Sequence, residues 1–125
     1  MRESLRTSAR RTELDLNAVL KATAETMRST IRVEDVLARY GGEEFLVIAR
    51  GLGLARGVQL GERLRIVAER HPVVIDGISI PRTISAGVAT VDCCGEDGSP
   101  QSLLRLADER LYRAKADGRN RVCGG

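Results

Sequence analysis

Apolar residues from Leu16 to Ile31 fall at Leu16, Val19, Leu20, Met27 and Ile31. This spacing predicts an amphipathic helix, with Asp15 placed to cap it. Two short apolar runs follow, Val36 to Tyr40 and Phe45 to Ala49, separated by Gly41-Gly42-Glu43-Glu44. They predict a hairpin whose second strand, apolar throughout, lies inside a sheet. Leu54, Val58, Leu64, Val67 and Ala68 trace a second helix that must end before Pro72. Val73 to Ile75 and Ile78 to Ile80 flank Asp76-Gly77, a strong hairpin signal, and Thr83 to Val91 alternates as a longer strand. Gly95 to Pro100 reads as a loop. Ser99 caps a last helix with Pro100 at its first position, and Leu103, Leu104, Ala107, Leu111 and Ala114 form its apolar face up to Gly118. Arg121-Val122-Cys123 is placed as a terminal edge strand. The order helix, hairpin, helix, hairpin, strand, helix, short strand predicts an α+β layer, with helices packed on one largely antiparallel sheet.

Composition narrows the function classes. The 125 residues, 42% hydrophobic and 30% charged, suit a single domain, and with aromatic content of 2% the core must be aliphatic. Stacking on nucleic-acid bases is disfavoured for the same reason. No apolar run reaches the roughly 20 residues of a membrane span, and the first residues lack the apolar core of a secretory signal, so a cytoplasmic location is expected. Cys93, Cys94 and Cys123 match neither a disulfide framework nor a zinc spacing. The net charge of +3 is concentrated in Arg2, Arg6, Arg10 and Arg11, while basic residues elsewhere alternate with acids. That pattern predicts a frayed basic arm over residues 1–14 ahead of a domain at 15–125, and no nucleic-acid partner.

Arg39-Tyr40-Gly41-Gly42-Glu43-Glu44-Phe45 resembles the GG(D/E)EF signature of diguanylate cyclases. Arg32-Val33-Glu34-Asp35 resembles the RxxD motif that precedes the signature. Ala107-Asp108, Leu111-Tyr112, Ala114-Lys115 and Gly118 to Arg121 resemble the family's C-terminal helix. The resemblance implies a ferredoxin-like fold similar to the palm of nucleotide cyclases. It also implies condensation of two GTP into cyclic di-GMP and pyrophosphate in bacterial second-messenger signalling, with Mg2+ or Mn2+. Two domains each holding a GTP would face one another as a homodimer, and a sensory domain would commonly lie upstream. Glycines at Gly41 and Gly42 would let backbone approach the phosphates, on a turn able to adopt positive φ. Glu43 would bind metal and activate the attacking hydroxyl, with Glu44 in support; magnesium favours such oxygen ligands. Lys115 and Arg119, four residues apart, would hold the triphosphate, although cations near a helix C-terminus also complement its dipole without a ligand. Arg32, Asp35 and Arg63 would form the inhibitory product site, and the alternative function is a catalytically inactive receptor for cyclic di-GMP through that pair.

Against the family pattern, the Asp-x-Asp-x-Phe-Lys strand, the Asn-Asp and the Gly-His-x-x-Gly-Asp segment are missing. Counting back from the signature, the Gly-Asp carboxylate falls on Asn17, left as a weaker guanine reader, and the metal-binding aspartate falls at or before Met1. Arg2 to Glu13 holds no apolar run able to replace that strand. The expectation is a domain whose first central strand is missing, with unpaired edges on the strands at Phe45–Ala49 and Ile84–Val88 and doubtful turnover.

Overall fold

The computed structural model describes the backbone of residues 1–7 and 13–125 and the side chains of residues 1–2 and 16–125. A five-stranded sheet carries the molecule. Its strands are β1 (Arg2–Thr7), β2 (Val36–Arg39), β3 (Glu44–Ile48), β6 (Arg82–Gly87) and β7 (Val122–Cys123), ordered β2-β3-β1-β6-β7. A separate hairpin of β4 (Val73–Ile75) and β5 (Ile78–Ile80) turns at Asp76 and Gly77, with φ of 52° and 78°. Two consecutive left-handed residues are what a tight primed turn needs, and Asp-Gly supplies them at low cost.

The centre of the sheet corrects the sequence reading. β1 pairs antiparallel with β3, Arg2 opposite Leu46 and Ser4 opposite Glu44, and antiparallel with β6 from Arg2 opposite Gly87 to Thr7 opposite Arg82. Residues 2–7 of the expected basic arm thus form the central strand, Arg10 and Arg11 lie outside the described residues, and the two edges expected to be unpaired are paired. The physical reason is that a ladder on both sides satisfies backbone donors and acceptors whatever the side chains are, so a strand with Leu5 as its single strongly apolar residue is held by position rather than propensity. The domain accordingly reaches forward to Arg2.

Three long helices complete the layers: α1 (Glu13–Thr30), α2 (Leu54–Arg70) and α3 (Pro100–Ala116). Asp15 lies inside α1 rather than capping it, because the helix begins two residues earlier. Ser99 does cap α3, its hydroxyl oxygen accepting from the Ser102 amide at 3.1 Å. Val19, Met27, Leu64 and Ile84 are fully buried and fill the space between α1, α2 and the sheet. The strand expected over Thr83–Val91 stops at Gly87, and Val91–Cys94 forms one turn of 3-10 helix. Gly87 lets α3 press onto the sheet: a Cβ there would stand 2.2 Å from the Ala107 carbonyl oxygen. That close approach brings Asp108 and Lys115 of α3 over the end of β1 and β3.

Candidate functional site

The Gly41-Gly42 turn closes the β2–β3 hairpin through Tyr40 N–H donating to the Glu44 carbonyl at 2.8 Å. The Arg39 guanidinium folds over it, its Nε donating to the Gly41 and Gly42 carbonyls at 3.3 and 3.2 Å. Neither glycine has positive φ, contrary to expectation, and a Cβ on Gly42 would meet nothing within 4 Å. Glycine here keeps an exposed surface bare rather than relieving strain.

The two signature glutamates part company at the start of β3. Glu43 is exposed at the turn. Glu44 turns inward, where its Oε1 accepts from Lys115 Nζ at 3.3 Å and its Oε2 is ion-paired with Arg2. Arg2 also pairs with Asp108, and its guanidinium carbon lies 4.0 Å from the centre of the Tyr40 ring. Arg2 is only 6% exposed, so this cation is held by two carboxylates and an aromatic face rather than by water. Sequence reasoning assigned Arg2 to a loose arm and gave Asp108 no role, since nothing local announces that a residue on α3 and one at position 2 will share a carboxylate.

Lys115 and Arg119 come together as expected. With Thr83, Gly118 and Asn120 they line an open cavity of about 460 Å³. Partial burial first, then the nearby charge of Arg119, holds the Lys115 ammonium below its ordinary pKa; Glu43 pulls the other way and Arg2 adds to the lowering. The bridge to Glu44 does not reverse the result. Arg119 and Asn120 both sit in the left-handed region, with φ of 64° and 49°. Such a pair at a helix exit costs energy and persists where its surroundings fix it: the Asn120 amide donates to Ser85 Oγ at 3.0 Å and its side chain bonds Arg65 and Glu69.

Asn17 is exposed on α1, in a groove of about 440 Å³ whose other walls include Lys21, Arg28, Arg39 and Phe45. Arg39 thereby links this groove to the glycine turn. Arg32 and Asp35 stand apart from it and pair with each other, with Glu34 Oε1 also 3.4 Å from the Arg32 Nε. Arg32 donates to Asp35 through Nη2 at 3.0 Å, Nε at 3.3 Å and its backbone amide at 2.9 Å, and Nη2 also reaches the Arg50 carbonyl at 2.8 Å. Burial would raise the Asp35 pKa, but the hydrogen bonds and charge of Arg32 outweigh it and leave the carboxyl below its ordinary value. The Asp35 side chain is 1% exposed and that of Arg32 46%. Arg63 is exposed on α2, and no hydrogen bond or ion pair joins it to this pair among the described residues.

Among the described residues no group of three or more His, Cys, Asp or Glu side chains could hold a metal ion, and Glu44 is already taken by two cations. Among the same residues no helix is long and apolar enough to cross a membrane.

Residues 16–121 match the family model described as diguanylate cyclase, GGDEF domain. The chain is 39% identical over 110 residues to response regulator PleD of Caulobacter vibrioides, covering 85% of this chain and 23% of that protein. It is 38% identical over 104 residues to diguanylate cyclase A of Treponema denticola, covering 83% of this chain and 28% of that protein. It therefore spans about a quarter of these relatives. The fold is also that of the active GGEEF domain of a diguanylate cyclase from Vibrio cholerae, with a TM-score of 0.73 at 24% identity, over 98% of this chain and 80% of that one.

Proposed function

The chain belongs to the GGDEF domain family of diguanylate cyclases, and from that premise we propose that it serves cyclic di-GMP signalling as a guanine-nucleotide-binding domain, a receptor rather than a synthase when it acts as a single chain. The observation that carries this reading is the Arg32–Asp35 pair. Asp35 holds the guanidinium through Nη2 and Nε, and the Arg32 side chain stays 46% exposed, where a phosphate or the O6/N7 edge of guanine can take it. An arginine fixed before the ligand arrives loses less rotamer freedom on binding. Arg63, exposed on α2, would be free to supply a second cation to the ligand only if the ligand reaches it. GTP phosphates would be taken at the other end of the domain by Lys115 and Arg119, beside the bare Gly41-Gly42 turn. Titration calorimetry with cyclic di-GMP tests the reading: binding that Arg32→Ala removes while the fold is retained supports it, and unchanged affinity in that variant ends it.

Glu43 favours a second reading. Exposed beside the turn, its carboxylate can accept the proton of a 3′-hydroxyl, so a pair of chains facing one another, each with a GTP, could carry out the reaction of the class, two GTP to one cyclic di-GMP and two pyrophosphates. Product analysis after incubation with GTP and Mg2+ decides between the readings: cyclic di-GMP or the linear dinucleotide, lost in Glu43→Gln, establishes turnover, and its absence from folded protein leaves the receptor.

A further inference from the structure

We propose that Arg65 of α2 is a positioning residue for Arg119: acting through Asn120, it holds the exit of α3 in the left-handed path that keeps Arg119 at the cavity it shares with Lys115. The role of Arg119 in this proposal rests on the nucleotide-binding reading above; the hold of Arg65 on the backbone does not.

The exit of α3 follows a costly path. Gly118, Arg119 and Asn120 have φ of 125°, 64° and 49°, three left-handed residues in a row, of which only the glycine adopts that region freely. An arginine released from such a path returns to negative φ, and its side chain swings away with the backbone. Within the helix end, the Arg119 N–H donates to the Ala114 carbonyl at 3.0 Å. Asn120, by contrast, is held from two other elements. Its backbone N–H donates to Ser85 Oγ on β6 at 3.0 Å, while its side chain reaches α2, where Oδ1 accepts from Arg65 Nη1 at 3.2 Å and Nδ2 donates to Glu69. A cation on one side and a carboxylate on the other allow the amide a single orientation.

Arg65 is itself fixed before it reaches Asn120. Its Nε and Nη2 donate to the Glu62 carboxylate at 3.1 and 3.0 Å, one turn back along α2, and Nη1 lies 3.6 Å from Glu69. A planar guanidinium can hold Glu62 by one edge and Asn120 by another, which a single ammonium cannot do in fixed geometry. The Arg65 side chain is 18% exposed against 42% and 47% for its two glutamates, so its charge is spent inside the protein rather than offered to a ligand. Arg119 and Asn120 line the cavity and Arg65 does not, so the contact route from Arg65 to a bound phosphate runs through them.

The test is a calorimetric titration of a non-hydrolysable GTP analogue, with Mg2+ present, into wild type, Arg65→Ala and Asn120→Gly. Asn120→Gly keeps the freedom for positive φ and removes the amide, so it separates the tether from backbone strain. Each variant should weaken the analogue by about tenfold while cyclic di-GMP stays within about twofold of wild type. In an Arg119→Ala background, Arg65→Ala should add no more than about a further twofold, because the two residues act as one unit. Unchanged analogue affinity in both variants overturns the proposal, as does a full additive loss in the Arg119→Ala background or an equal loss for cyclic di-GMP, the mark of a general structural defect. Hydrogen exchange at the Asn120 amide should be at least about tenfold faster in Arg65→Ala, and an unchanged rate also overturns the proposal. A wild type that does not bind the analogue overturns the nucleotide reading and the role of Arg119, while the exchange rate still decides whether Arg65 holds the turn. Should Arg65→Ala fail to fold, Asn120→Gly alone and combined with Arg119→Ala carries the same measurements.

Discussion

Two arginine–carboxylate clusters stand at different places in this domain and differ in which partner is buried. At the sheet's end the arginine is hidden: Arg2 is 6% exposed, while the side chains of Glu44 and Asp108 are 27% and 44% exposed. At the other cluster the carboxylate is hidden, Asp35 at 1% against 46% for the Arg32 side chain. A buried cation spends its charge inside the protein, whereas a buried anion positions a cation that faces outward. The first arrangement ties the sheet to a helix and the second presents a cation at the surface, although the residue types are the same.

The sharpest way to break the contrast is Arg2→Gln. Removing the cation leaves Glu44 and Asp108 partly uncompensated, so urea denaturation should show a loss of about 2–3 kcal/mol, less than the ~3–5 kcal/mol of a fully buried pair because both carboxylates reach solvent. Arg32→Ala should cost stability as well, because it leaves the buried Asp35 carboxylate without its cation, and should weaken cyclic di-GMP by about 10- to 100-fold in calorimetry on folded protein, the effect of losing charge-assisted hydrogen bonds. A third prediction uses acid. Since Arg32 holds the Asp35 carboxyl below its ordinary pKa, the unfolded chain binds the proton first as pH falls. Stability from this pair is then full above the ordinary carboxylate range of about 4 and is lost as pH drops through the lower folded value. The stability difference between wild type and Asp35→Asn, followed by thermal unfolding, should therefore narrow in acid; a difference constant with pH would count against the pair. Smallest of all, Glu43→Gln should leave Tm within a degree or two, about 0.5 kcal/mol, because its carboxylate is exposed at the turn.

Where local pattern and tertiary demand agree, the sequence was readable. The helix faces, the Asp76-Gly77 turn and the Ser99 cap all follow from short-range chemistry, and each is where it was expected. β1 was not legible because nothing in Arg2-Glu3-Ser4-Leu5-Arg6-Thr7 advertises a central strand; only its two neighbours, more than 35 residues away, give it that place. At the site, the turn, the cations and the Arg32–Asp35 pair were readable as motifs. The separation of Glu43 from Glu44 was only half readable, since alternation says that they point apart but not that Glu44 meets Arg2. The roles of Arg2 and Asp108 depend on α3 crossing the sheet at Gly87, a packing fact with no local trace.

The position of β1 also sets an order of events during synthesis. Its partner strand β6 begins at Arg82 and pairs with it through Thr7, so β1 must wait for the intervening helices and strands to be made before its second ladder can form. Closing so long a loop is slow, and until it closes β1 lacks its neighbour on the β6 side. Folding of this domain should therefore be limited by the capture of β1 between β3 and β6, with Arg2 reaching its carboxylates among the last contacts made.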